Sequence, residues 1–219
     1  MGKIFEIYEP AAVSRYRSRG YESPTSKYLM RFSVLLSELL TLIPAAVLFF
    51  LQKSTKLSKT LKMCQLTLAL NLPPFILIDH GHFQYNCVML GLTLAAIVAI
   101  SKKRIWLGSM FFVLALNFKQ MGLYYALPMF FGILGFHLRP ILTGSVIQRA
   151  KSIIPCVSEI GITGLVVIAS FGVNLMPWLF SMESAKSVLS AVFPFQRGLY
   201  HLKVASVWCV TNPLFDWNV

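Results

Sequence analysis

The sequence predicts an all-α protein that crosses a membrane several times, and three observations predict it. Of its 219 residues, 56% are hydrophobic and 13% charged, and the mean hydropathy is +0.67; soluble domains carry about a quarter charged residues. The apolar residues form long continuous runs, not alternating strands, and in lipid only helices or closed barrels satisfy the backbone. The 20 Lys+Arg and 8 Asp+Glu, a net charge of +12, fall in short clusters between those runs. A single basic face would indicate nucleic acid; clusters dispersed in this way do not, so no nucleic-acid partner is expected.

Residues 1–31 carry Lys3, Arg15, Arg17, Arg19, Lys27 and Arg31 and no apolar signal-peptide core, and read as an extramembrane segment. The first span runs from Phe32 to Leu51, where about 20 residues at 1.5 Å each cross roughly 30 Å of hydrocarbon. Its polar exceptions are Ser33, Ser37, Glu38 and Thr41. A connector with four lysines, Gln52 to Lys62, leads to a second span from Met63 to Ile78, which ends at Asp79. The third, Tyr85 to Ile100, closes at Lys102-Lys103-Arg104, and the fourth, Ile105 to Phe118, is short and closes at Lys119. Leu123 to Leu138 makes the fifth, with a kink permitted at Pro128. The sixth run, Ile154 to Phe180, is too long for one perpendicular crossing, so it tilts or begins in the interface. Residues 1–31 thus read as the remnant of a lumenal loop, 32–180 as a transmembrane helical core, and 181–219 as a lumenal or interfacial turn with the start of a further helix. Cys64, Cys87, Cys156 and Cys209 form no close pair and read as apolar filler, neither disulfide framework nor zinc site.

The connectors after the first, third and fifth spans hold four, three and three Lys/Arg, those after the second and fourth none and one. The positive-inside rule puts the odd connectors in the cytoplasm and Asp79–Gln84 and Lys119–Gln120 on the opposite face. The basic N-terminal segment then lies against the rule: either it contacts an anionic partner or the whole array is inverted.

Three polar patches carry candidate chemistry. Asp79-His80-Gly81-His82-Phe83-Gln84-Tyr85-Asn86 places an acid, two imidazoles and two amides at a membrane boundary. Such a set fits ion or phosphate binding or proton transfer; a polar turn with Asp79 and Asn86 capping helices fits as well. His80 and His82 lack the four-residue helical spacing of zinc proteases, and no metal is expected. Asn117, Lys119 and Gln120 with Tyr124 and Tyr125 form the second patch, either a phosphate-holding lysine or a snorkelling lysine in an aromatic belt. The third is Phe193-Pro194-Phe195-Gln196-Arg197-Gly198-Leu199-Tyr200 with Lys203, a helix-breaking turn beside a guanidinium.

Together these stretches, with Ser18-Arg19-Gly20-Tyr21-Glu22-Ser23, Met30-Arg31, Lys203-Val204-Ala205 and Trp208-Cys209, resemble the dolichyl-phosphate-glucose-dependent α-1,3-glucosyltransferases of N-glycan precursor assembly. The Asp-His-Gly-His-Phe-Gln-Tyr-Asn run is most similar to the relatives that add the first glucose; those adding the second typically carry a bulky residue where Gly81 stands. His201-Leu202 departs from the acidic pair usual there. The resemblance implies a partial GT-C-type transmembrane core of about six or seven helices in the endoplasmic reticulum membrane. It implies dolichyl phosphate glucose as donor and dolichyl-linked lipid substrates as partners, with no cofactor. By the same resemblance Asp79, His80, His82, Gln84, Tyr85, Asn86, Lys119, Gln120, Tyr124, Arg197 and Lys203 are the substrate-binding candidates. Asp79, His80, His82 and Gln84 would line a lumenal cavity, with Lys119 and Arg197 on phosphate. Family members carry their catalytic base in an Asp-Tyr-Pro-Pro-like motif of an earlier lumenal loop and continue with further spans. The chain is therefore expected to match an internal slice, to contain no catalytic residue and to lack transferase activity by itself. A second-glucose relative, a non-catalytic membrane fragment and a proton or ion transporter using Asp79, His80 and His82 are the alternatives.

Overall fold

A computed structural model describes residues 6–13, 21–52, 56–143 and 145–176, together with Met182, Lys186 and Thr211. All regular structure among the described residues is helical. The chain divides into two compact units, Met1–Asn174 and Leu175–Val219; the helices described below lie in the first, apart from Leu175, the final residue of the last helix.

α1 (Pro24–Leu40) starts eight residues before the hydropathic boundary at Phe32. Ser23 is its N-cap, its hydroxyl accepting the Ser26 N–H at 3.0 Å, and Pro24 takes the first helical position, where no N–H is needed. The last eight residues of the segment read as a loop are therefore helix. α2 (Leu42–Phe50) continues the span after an irregular Thr41. Pro44 explains the break: it has no N–H for the Leu40 carbonyl and its ring crowds that turn.

α3 (Lys59–Leu70), N-capped by Ser58, opens the second span. The sequence suggests one uninterrupted run, but Pro73-Pro74 force Leu72 into an extended conformation at ψ 123° and restart the helix as a short turn, Pro73–Phe75. That turn widens into a π-helical stretch, Ile76–Gly81. α4 (Asn86–Ser101) and α5 (Ile105–Phe118) follow close to the expected limits. At 1.5 Å per residue they measure about 24 and 21 Å, shorter than a hydrocarbon core, and they form the central hairpin of the bundle. A 3-10 stretch, Gln120–Tyr125, leads into α6 (Ala126–Thr143). α7 (Val146–Leu175) has 30 residues, about 45 Å, and starts eight residues before the expected Ile154.

Close packing of α4 positions everything else. A Cβ on Gly91 would lie 2.6 Å from the Leu42 nitrogen, so the glycine lets α4 touch the broken backbone between α1 and α2. Val34, Leu42 and Cys87 form one buried cluster, flanked by Phe83 and Tyr85; Ala96, Phe112 and Met129 form a second, joining α4, α5 and α6. The outer helices keep apolar surface outward, with Leu68, Leu127 and Ile168 all about 70% exposed. In water such a surface would aggregate; facing lipid it is the expected exterior. Among the described residues four helical stretches are long and apolar enough to cross a membrane: Pro24–Phe50, Lys59–Gly81, Gln120–Thr143 and Val146–Leu175. The protein is a polytopic helical membrane protein.

Candidate functional site

At one end of the α4–α5 hairpin, the polar run after the second span folds onto the helix that follows it. The His82 N–H reaches the Leu77 carbonyl at 2.9 Å, a five-residue spacing that widens the turn. Asp79 lies in this stretch and is 1% exposed. Phe83 then takes φ 63°, a left-handed conformation costly for an aromatic residue, and the chain doubles back into α4. α4 has no capping side chain at Tyr85. One of its free backbone N–H groups is met from upstream, Asp79 Oδ2 accepting the Cys87 N–H at 2.6 Å, while Asp79 Oδ1 accepts the Asn86 side-chain Nδ2 at 2.8 Å. An anion at the positive end of a helix is electrostatically favoured, which explains how this carboxylate tolerates burial.

Asn86 carries the connection outward. Its Oδ1 accepts a short hydrogen bond from Lys119 Nζ, and Nζ also donates to Gln84 Oε1 at 3.0 Å. Asn86 Nδ2 closes the ring to Gln84 Oε1 at 3.2 Å. Lys119 is delivered by the end of α5, where it turns extended while its N–H bonds the Ala115 carbonyl. The ammonium is thus held by two neutral amide oxygens. Among the described residues the side-chain ion pairs are Lys27–Glu22 and His80–Glu38, so no carboxylate neutralises Lys119 directly. The Asn86 amide, bonded to Asp79 on one side and Lys119 on the other, is the link between the two charges.

The first span supplies the adjoining wall. His80 Nε2 lies 2.8 Å from Glu38 Oε2, with side chains 27% and 14% exposed. The Tyr85 hydroxyl meets Ser33 Oγ at 2.7 Å, and its ring packs edge-on against Phe83 and Phe118. Ser33, Ser37 and Thr41 also return hydrogen bonds to carbonyls of their own helix at Met30, Ser33 and Ser37. Glu38 was absent from the sequence-based site; the signal for it was present, a carboxylate inside an apolar span.

Of the expected site residues, the fold joins Asp79, Gln84, Asn86 and Lys119 in one network and sets His80 and Tyr85 beside it. It leaves His82 and Gln120 exposed and Tyr124 79% exposed, none of them bonded into that network. Asp79 is buried, with both carboxylate oxygens occupied, one by the Cys87 N–H and the other by the Asn86 amide. Arg197 and Lys203 lie outside the described residues.

The model of the ALG6, ALG8 glycosyltransferase family matches residues 1–219. The chain is 36% identical over 212 residues to a probable dolichyl pyrophosphate Man9GlcNAc2 alpha-1,3-glucosyltransferase of Drosophila melanogaster, covering 97% of this chain and 42% of that protein. It is 42% identical over 216 residues to the protein of the same name from Dictyostelium discoideum, covering 98% and 40%. To the dolichyl pyrophosphate Man9GlcNAc2 alpha-1,3-glucosyltransferase of Gallus gallus it is 39% identical over 214 residues, covering 96% and 39%. The chain spans about two fifths of the length of these curated relatives. It belongs to the ALG6, ALG8 glycosyltransferase family.

Proposed function

From that membership we propose that the chain forms part of an α-1,3-glucosyltransferase of the endoplasmic reticulum membrane, which moves the first glucose from dolichyl phosphate glucose to Man9GlcNAc2 on dolichyl diphosphate. The relatives' names supply the acceptor, Man9GlcNAc2, and the α-1,3 linkage. The basic connectors at the far end of the α4–α5 hairpin support a lumenal setting for the Asp79–Lys119 network.

Lys119 carries the reading at the level of chemistry. When glucose leaves its donor, negative charge collects on the departing phosphate, and a fixed cation in a water-poor site stabilises it. An ammonium clamped by the amide oxygens of Gln84 and Asn86 is aimed and, among the described residues, not neutralised by a carboxylate. Asp79 has a different part. Its oxygens are spent on Asn86 and Cys87, so it orients Asn86, and through it Lys119, and does not accept the proton of a sugar hydroxyl. Arg197 and Lys203 are the proposed further cations of the phosphate site, His82, Gln120 and Tyr124 the proposed contacts to the rest of the lipid-linked substrates.

Lys119→Met, introduced at the matching lysine of a complete relative, tests this. Loss of one preorganised charge donor is expected to lower kcat/KM for dolichyl phosphate glucose by about 10²–10³-fold, with the KM for the acceptor little changed. Unchanged donor kinetics would remove Lys119 from the phosphate site. Product analysis on Man9GlcNAc2 against its monoglucosylated form separates the first-glucose reading from the second.

A further inference from the structure

The opposite end of the α4–α5 hairpin holds a second chemistry. α4 ends there in a tight cap in which the Lys103 N–H bonds the Ile100 carbonyl at 2.8 Å and the Arg104 N–H bonds the Ala99 carbonyl at 2.9 Å. The cap places Lys103 at φ 60°, a position that glycine fills most easily. A lysine here keeps a cation at the negative end of the helix in spite of the backbone cost.

Beside this turn α5, α6 and α7 diverge around a cavity of about 780 Å³. Lys103, Arg104 and Lys151 bring three cations to it, and Trp106, Phe136 and Pro155 give it apolar walls. Among the described residues Glu159 is the one carboxylate in its lining, two turns along α7 from Lys151, or about 12 Å. His137, also in the lining, is engaged in tying α6 to α7: its Nε2 lies 3.2 Å from Thr163 Oγ1 and its carbonyl accepts Cys156 Sγ at 3.2 Å. On the other flank of the turn a recess of about 280 Å³ is lined by Lys102 and Arg104 together with Leu40, Pro44 and Phe111. The basic turn therefore stands between two apolar recesses, with Arg104 shared by both.

A free anion needs cations but gains nothing from the apolar walls. An amphiphile uses both, and the half-exposed Trp106 is the residue type found where headgroup meets acyl chain. We propose that this recess binds an anionic glycerophospholipid, its phosphate on Lys103, Arg104 and Lys151 and its acyl chain along Trp106 and Phe136. The site is separate from the Lys119 network, which lies at the other end of α4 and α5.

The test is to place the full chain in phosphatidylcholine nanodiscs containing phosphatidylinositol, extract it with detergent and count retained lipids by native mass spectrometry. Phosphatidylinositol should be retained well above its share of the bilayer, and the variant Lys103→Gly/Arg104→Gln/Lys151→Gln should lose at least about tenfold of that enrichment, each lost phosphate contact weakening the hold. Lys56→Gln/Lys59→Gln, in a basic connector at the same end, should keep it. Four results overturn the proposal: no enrichment in the parent chain, equal retention by the triple variant, equal loss in the connector variant, or full displacement by inorganic phosphate. Should the triple variant not be recovered folded, Glu159→Gln decides. Removing the cavity's carboxylate should raise retention, and no rise overturns the assignment.

Discussion

Replacing Asp79 by Asn keeps the shape of the side chain and removes half of its bonding capacity. The two groups that reach Asp79, the Cys87 N–H at 2.6 Å and Asn86 Nδ2 at 2.8 Å, are both donors. Asn offers one acceptor oxygen, so one of these donors is left facing an amide NH₂ in a site that is 1% exposed. A hydrogen bond to a charged group is worth about 1.5–3 kcal/mol, and the charge at a helix N-terminus about 0.3–1 kcal/mol, up to about 2 when partly buried. Asp79→Asn should therefore cost about 2–4 kcal/mol. Asp79→Ala, which strands both donors, should cost at least as much. Reversible unfolding of the purified chain in mixed micelles, titrated with SDS and followed by far-UV circular dichroism, gives these differences. A double-mutant cycle with Lys119→Met adds a second readout. Asn86 bonds both residues, so the two losses should fall short of additivity. Variants at Asp79 that unfold within about 0.5 kcal/mol of the parent, the range of ordinary surface changes, would refute its role as anchor of α4.

Glu38→Gln keeps an acceptor for His80 and should cost less than about 1 kcal/mol, whereas Glu38→Ala leaves the half-buried imidazole unpartnered and should cost about 1–3 kcal/mol in the same titration. Equal losses for the two would make charge, not hydrogen bonding, the basis of that pair. Gly91→Ala puts a methyl group 2.6 Å from the Leu42 nitrogen and should destabilise by about 1–3 kcal/mol, while Gly161→Ala, with nothing within 4 Å, should be neutral or stabilising. The reverse order would contradict the close approach of α4 to the Thr41 break. Outside the spans, hydrogen bonds from Tyr21 and then Ser23 hold the Glu9 carboxyl below its ordinary value. A lowered folded-state pKa makes this contribution present at neutral pH and lost as pH falls through the folded value. Tyr21→Phe should raise the Glu9 midpoint in an NMR titration of carboxyl-labelled protein, and an unmoved midpoint would disprove the bond.

Hydropathy made the runs of the bundle legible, and where a charge cluster or a cap closed a run the limits came out well, as at Ile105 and Phe118. Where polar residues still belong to a helix, hydropathy stopped early. α1 extends back through Arg31, Tyr28 and Lys27 to Pro24, because capping and not apolarity decides where the backbone starts to coil. Ser23-Pro24 was the visible signal. The break at Leu72 was equally visible in Pro73-Pro74, but an averaged hydropathy passes over it. The site was legible in composition and not in wiring. The run from Asp79 to Asn86 and the lysine at 119 stood out as polar groups in an apolar chain. That they meet through Asn86, 33 residues from Lys119, depends on the π-helical widening and on Phe83 at φ 63°. Of the two readings open for Asp79, the helix-capping one describes its contacts. Glu38 was missed as a partner because His80 lies 42 residues away, and only tertiary packing pairs them.

That 42-residue gap also has a meaning in time. At about 5–20 residues per second, roughly 2–8 s separate the synthesis of the carboxylate from that of its imidazole. During that interval the Pro24–Phe50 helix carries an unpaired acid, which costs on the order of 3 kcal/mol at the centre of an isolated membrane helix. Ser33, Ser37 and Thr41 add little to that toll, since their hydroxyls bond carbonyls of their own span. Glu38 has no such bond within its own span and meets its partner, His80, on a later segment. With the imidazole in place the carboxylate is paired, so joint release of the Pro24–Phe50 and Lys59–Gly81 helices into lipid is favoured over release of the former by itself.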